Sequence, residues 1–523
     1  MMPYLLSIPI YFASFLLSLA IFLPNRKSSL EDLLKAFLLS TLAIILLSGI
    51  NYFTFAIPYL PLLLIDLVGL TQIRKLKLLS FTKREKLVLS CIIAYGSIFL
   101  VYYSTFATFL AGDIITHASF IRAIISHDPI RIPIVNSYLT DYPKGFHFYA
   151  ASYAGLVGII NSIKLTSIIS LTITLLAIYK VAEKLGVHPE GAVLFAGAFI
   201  PHYFYIFWGG YTSQFAMLFI LFVILFTLDE DKKYLSISLF SSFIIHPRAF
   251  LFIIPFAIVC ILTKRKLTFT TVTLSLITIP TLAYLVQHGF QSPFFFPALL
   301  QDKPYLLKLI MVFLPALFSI PGYFLNENRI LRRWFIAGVL FLFFMDMVRP
   351  DRGDPRRLLE TYYVLFSLIS ANVLKTKFKS LIVIFLLLYG SSLMLYEFNK
   401  YQKTFTIGND EIKEFDAASK YINSTYVINL DQICEWFYPL ENIKISHPRA
   451  VKYIDCNKEL YSVTEELLSG KSVNGTYDLC ISRYSLLDEK TPFIWFEKVK
   501  VPDEVTTYNG TLIKIILLDR SSF

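Results

Sequence analysis

Long apolar runs recur from the N-terminus to residue 397, near 4–23, 35–50, 54–72, 87–111, 165–182, 190–207, 211–228, 234–247, 248–263, 268–286, 307–325, 333–348, 359–374 and 380–397. A helix crossing a bilayer needs roughly 20 mostly apolar residues. The pattern therefore predicts an α-helical polytopic membrane protein of about 13–14 transmembrane helices. After residue 397 it changes to short alternating runs, such as Thr425–Leu430 and Thr511–Leu517, which predict strands in a polar α/β domain. The expected organisation is N-terminal transmembrane helices over 1–111, a first large loop with amphipathic helices over 112–164, a transmembrane core over 165–397 and a soluble domain over 398–523.

Sidedness turns on whether the apolar segment 146–162 crosses. The cluster Arg74, Lys75, Lys77, Lys83, Arg84 and Lys86 belongs in the cytoplasm by the positive-inside rule. If 146–162 stays on one side, then Lys180 and Lys184, Lys232 and Lys233, Lys264 to Lys266, Arg329, Arg332 and Arg333, and Lys375, Lys377 and Lys379 all fall inside as well. If it crosses, all fall outside. The first arrangement is expected, and it makes the loop 112–164 and the domain 398–523 extracytoplasmic.

Composition supports the membrane reading. The 523 residues are 56% hydrophobic and 16% charged, against about 25% charged in a soluble domain, and mean hydropathy is +0.61. The net charge of +11 lies in short clusters between apolar runs, which suits topology signals and membrane lipid and argues against nucleic acid. Three of the five cysteines, Cys434, Cys456 and Cys480, lie in the tail and allow at most one disulfide. The sequons at Asn423, Asn474 and Asn509 fit an external tail.

On that topology the unusual polar residues gather on the external side. Gly112-Asp113-Ile-Ile-Thr-His117 leads on to Arg122. Asp113 is either a general base with His117 one turn away on the same face or a helix cap. Asp141-Tyr142-Pro143-Lys144-Gly145-Phe146-His147 is either a turn holding Tyr142 and His147 over a pocket or an interfacial anchor. The run Arg349 to Arg357, with Arg352 and Arg356, suits a lipid-linked phosphate, or else neutralises itself through Asp351 and Asp354. Trp208-Gly209-Gly210 offers sugar stacking or an aromatic belt. His246-Pro247-Arg248 is a helix-breaking turn or a second phosphate contact.

These features together resemble the GT-C superfamily of multispanning glycosyltransferases, which use polyprenyl- or dolichyl-phosphate sugars. The matching elements are Asp113 at the start of the first large loop, the Tyr142 to His147 turn, the later cluster Arg352, Arg356 and Arg357, and a C-terminal external domain. The resemblance implies that Asp113 is the base and that the three arginines hold the donor phosphate. It also implies that the transfer is inverting and needs neither metal nor cofactor. The acceptor would be a hydroxyl on a glycan, a protein or a lipid. The runs 4–23, 35–50 and 54–72 precede the catalytic loop, whereas such enzymes usually have one. The Trp-Trp-Asp motif of oligosaccharyltransferases and an Asp-x-Asp metal pair in the first loop are absent, which argues against a pyrophosphate-linked oligosaccharide donor. The competing function is a lipid-linked-glycan flippase or small-solute transporter, which calls for mid-span charges; Asp66 and Asp346 are the clear ones.

Overall fold

A computed structural model of the chain describes residues 4–54, 57, 59–109, 113–128, 145–199, 211–245, 249–263, 314–348, 355–404, 406–422, 426–429, 433–445, 476–482, 505–510 and 512–519. These residues are mostly helical. Five described helices are long and apolar enough to cross a membrane: α1 (Tyr4–Phe22), α2 (Leu30–Thr54), α4 (Lys83–Ser104), α7 (Ile159–Lys184) and α15 (Lys379–Thr404, through Tyr396). Between and around them run α3 (Leu60–Gln72), α5 (Asp113–Ser126), α6 (Gly145–Val157), α8 (Pro189–Ala198), α9 (Tyr211–Leu228), α10 (Lys232–Ile245), α11 (Ala249–Leu262), α12 (Ser319–Phe324), α13 (Arg329–Val348) and α14 (Pro355–Ser370). The run 268–286 lies outside the described residues.

Local chemistry sets several boundaries. Thr82 accepts from the Glu85 backbone N–H at 3.1 Å, and the Glu85 carboxylate accepts from the Thr82 N–H at 2.9 Å. This reciprocal cap starts α4 four residues ahead of its apolar run. Gly158, at φ +85°, takes a backbone conformation that a side chain would resist and so separates α6 from α7. Helix α7 is the axle of the bundle, with 94% of its apolar window buried. The outward faces of α1, α3, α4 and α15 show the reverse, leaving Leu5, Leu6, Leu64, Leu67, Leu87, Val101, Leu381 and Leu388 exposed. In water such a belt would be an aggregation surface; in a bilayer it is solvated.

The two ends of the bundle differ in charge. At one end Lys35 meets Glu31 and Asp231 at 3.0 Å each, Lys184 meets Glu31 at 3.4 Å and also Asp229, Lys180 meets Glu85 at 3.6 Å, and Arg84 pairs with Glu190. Asn328 donates to the Leu185 carbonyl at 2.8 Å, and the His188 backbone N–H donates to Asn372 at 3.3 Å. Helices α2, α4 and α7 each have one terminus in this network. Their other termini, at Tyr52, Tyr103 and Lys164, define the opposite end.

Helix α6 has 13 residues, about 20 Å of rise, against a hydrocarbon core of about 30 Å. It starts against Ile244 and Ile245 at the end of α10. Just past it, Asn161 donates to Ser7 in α1 at 2.8 Å. Both ends of α6 therefore lie away from the ion-pair network.

The chain beyond α15 returns to that same region. Strand β1 (Thr108–Phe109) pairs antiparallel with β2 (Thr406–Ile407). After α16 (Lys413–Ser419), the strands β3 (Tyr426–Asn429), β4 (Lys444–Ile445), β5 (Thr476–Ser482), β6 (Val505–Asn509) and β7 (Ile513–Asp519) form a mixed sheet in the order β4-β3-β5-β7-β6. The short helix α17 (Phe437–Glu441) lies between β3 and β4. Cys434 is bonded to Cys480, closing a separation of 46 residues, worth about 4 kcal/mol in the chain-entropy account. Cys456 lies outside the described residues.

Candidate functional site

Helix α5 is buried on nearly every side. Ile114, Ala118, Phe120, Ile121 and Ala123 pack inward, and His117 is only 3% exposed. Its partner is α6, which opens at Gly145 because nothing larger fits: an added Cβ would lie 2.6 Å from the Ile244 carbonyl oxygen. That approach seats His147, fully buried, across from His117. The His117 Nδ1 and His147 Nε2 atoms are 2.9 Å apart, a hydrogen bond whose direction depends on the tautomers.

Two of the polar motifs meet in this pair, and described residues adjoining two others come close to it. Asp113 opens α5, and residues four apart share a helix face, so Asp113 and His117 are on one side of it. His147 comes from the Tyr142 to His147 turn. Tyr211, which follows the Trp208-Gly209-Gly210 turn, brings its ring within 6.2 Å of the His117 ring, and Phe215 packs on Phe146 at 5.7 Å. Ile244 and Ile245, against Gly145, come just before His246. Tyr142, Trp208, His246, Arg248 and Arg352 themselves lie outside the described residues. Arg356 and Arg357 stand in the first turn of α14, which packs against α8, α12 and α13.

Arg122 has a different employment. Its Nε and Nη2 donate to the Pro439 carbonyl at 2.9 and 2.8 Å, and Nη2 also donates to the Leu440 carbonyl at 2.8 Å. Burial pushes its pKa down, while Tyr438, Glu441 and Asp128 pull it back. Tyr438 donates to the Asp128 carboxylate at 2.7 Å, and Tyr52 donates to the Asp128 carbonyl at 2.7 Å. The far end of α5 is thus bolted both to α2 and to α17. His127, at φ +58°, ends the helix in the left-handed region and stacks on Tyr52 with ring centroids 5.5 Å apart.

Lys164 is the residue that sequence reasoning passed over. It sits at the margin of an apolar run, where a single cation reads as a boundary. In the structure it is 1% exposed and donates to the Tyr103 and Phe106 carbonyls at 2.9 and 2.7 Å. Its ammonium also lies over the rings of Phe106 and Tyr4, at 4.6 and 5.1 Å from their centroids. It closes the C-terminus of α4, where free carbonyls and the helix dipole favour a cation. In doing so it fixes the strand that leads towards Asp113.

Asp66, the mid-span carboxylate, accepts from Ser14 at 2.9 Å between α3 and α1. Among the described residues no group of three or more His, Cys, Asp or Glu is placed to hold a metal ion. In comparisons with protein-family models, with curated proteins and with solved structures, the chain matches none.

Proposed function

We propose that the chain is a membrane glycosyltransferase. It moves a sugar from a polyprenyl-phosphate donor to an acceptor hydroxyl, with inversion, at the end of the bundle where His117 meets His147. That contact is the observation carrying the reading. It joins two motifs of the first long loop, thirty positions apart, and Tyr211 and Ile244 bring two further motif-bearing segments to the same place. A transporter holds its substrate near the bilayer midplane, whereas this gathering is terminal.

The finer architecture belongs to the same proposal: about 13–14 transmembrane helices, with the catalytic loop and the C-terminal sheet forming the extracytoplasmic part. The charge asymmetry supports this orientation. The segments bearing Lys75, Arg84, Lys180, Lys184, Lys232, Arg329 and Lys375 lie at the ion-paired end, as the positive-inside rule asks of a cytoplasmic face. The Cys434–Cys480 bond suits an oxidising compartment for the other.

In the reaction, the acceptor oxygen forms a bond to the anomeric carbon as the bond from that carbon to the phosphate oxygen breaks. Asp113 takes the acceptor proton. The electron pair of the broken bond leaves with polyprenyl phosphate. Arg352, Arg356 and Arg357, with Arg248, supply the positive field for that leaving group, whose charge guanidinium forks can balance without a metal. His117 and His147 orient the substrates, and Trp208 and Tyr142 offer rings to the sugar. The acceptor is a glycan, protein or lipid hydroxyl. The test is incubation of the purified chain with a panel of polyprenyl-phosphate sugars and membrane extract as acceptor, measuring release of free polyprenyl phosphate. Release with at least one donor is expected; none from any donor would sink the reading.

A further inference from the structure

Gln214 stands in the first turn of α9, 1% exposed, and among the described residues neither its amide oxygen nor its amide nitrogen has a hydrogen-bond partner. A primary amide offers two donors and two acceptor positions, and leaving them unmet in a dry interior is costly. A leucine would fill the same place without that cost, and the rest of α9 from Phe215 to Phe226 is buried apolar sequence. Nothing in the packing accounts for an amide here.

Its position does. Residues three apart share a helix face, so Gln214 lies on the side of α9 that carries Tyr211, whose ring approaches His117. The next residue, Phe215, packs on Phe146 beside His147. The chemistry of the amide narrows the ligand. It is neutral, with donor and acceptor side by side. An anion would satisfy its N–H groups but repel its oxygen, and a cation would do the reverse. A vicinal diol, whose hydroxyls each donate and accept, satisfies both atoms together.

We infer that Gln214 is a specificity-determining residue that hydrogen-bonds a hydroxyl pair of the transferred sugar. This rests on the proposed glycosyl transfer. The amide carries no charge, so its contribution is to choose among sugars by the placing of their hydroxyls. A site built to bond a hydroxyl discriminates strongly against an analogue that lacks it.

The experiment compares full-length wild type with Gln214→Leu in two arms. In the first, melting is followed with and without millimolar methyl α-mannoside, methyl β-glucoside and methyl β-galactoside. The variant is expected to melt at or above wild type and to lose the stabilisation that one of these glycosides gives the wild type. In the second, transfer is measured from polyprenyl-phosphate mannose, glucose and galactose and from their deoxy analogues. The variant is expected to lose about 10–100-fold in kcat/KM for the preferred donor. It should no longer distinguish that donor from the analogue lacking the contacted hydroxyl. A sugar on the acceptor rather than the donor would move this discrimination to the acceptor series and overturn the assignment to the transferred sugar. A variant that melts well below wild type, or that binds and transfers as wild type does, also overturns it. Absence of transfer by wild type defeats the enzymatic reading alone if the glycoside shift is present and lost in the variant; absence of that shift as well defeats the inference.

Discussion

The Arg122 guanidinium grips the carbonyl of Pro439, 317 positions downstream, with two of its nitrogens. The helix that begins at Asp113 is therefore held at its far end by the segment that follows the last long helix. Charge-assisted bonds of this kind contribute about 1.5–3 kcal/mol each. Arg122→Ala should lower the melting temperature by several degrees and speed proteolysis after residue 404, with Arg122→Lys intermediate because an ammonium cannot reproduce the fork. Unchanged proteolysis of the alanine variant would mean that the clamp does not hold the tail.

Asp113→Asn removes the proposed base while keeping shape and helix start. Transfer should fall by about 10²–10⁴-fold, with the melting curve and the glycoside response of the wild type retained. A folded variant that transfers normally would remove Asp113 from the mechanism.

Lys164→Met should destabilise the protein by about 1–3 kcal/mol, since the Tyr103 and Phe106 carbonyls lose their donor in a buried place. Because the same lysine steadies the approach to Asp113, kcat should drop more than KM rises. Melting and steady-state kinetics on the same preparation separate the two effects, and an unaltered kcat would confine Lys164 to stability.

His188 caps α8 by accepting the Gly191 N–H on Nδ1 at 3.1 Å, which requires the neutral ring. Burial lowers its pKa below the usual histidine value; Glu190 works against this, and Arg84 and Lys375 add to it. A depressed pKa contributes stability that is present above the unfolded-state value and is lost as pH falls through the folded one. Wild type should thus lose more melting temperature between about pH 7 and pH 5 than His188→Asn, a cap that does not titrate. Parallel losses would rule out the cap as the titrating element.

Much of this was legible along the chain. The apolar runs at 4–23 and 211–228 reappear as α1 and α9 nearly to the residue, because a single period governs long helices; the run at 380–397 becomes α15, which continues through polar residues to Thr404. Helix α2 begins at Leu30 rather than 35, since Glu31 and Asp32 suit a helix N-terminus and the former is neutralised by Lys35 and Lys184. Thr82-Lys83-Arg84-Glu85 carried a capping signature that moves the start of α4 forward. Its C-terminus departs from the apolar run for a reason no local pattern holds: residues 108–109 leave the helix to pair with 406–407. The His117–His147 contact is of the same kind, set by the close approach at Gly145. Arg122, expected among the substrate-binding residues although nine positions on from Asp113 and on roughly the opposite face, is engaged instead by the backbone at Pro439 and Leu440. Arg356 and Arg357, expected ahead of a span starting near 359, stand inside the first turn of α14, because Pro355 suits the first helical position.

The pairing of β1 with β2 carries one more consequence. A ladder of backbone hydrogen bonds cannot reach through a bilayer, so Thr108 and Ile407 must sit on the same face whatever the path between them. The number of traversals separating them is therefore even. Reporters inserted after residue 128 and after residue 407 should give matching accessibility, because Tyr438, downstream of β2, bonds the Asp128 carboxylate and so ties the end of α5 to the same side.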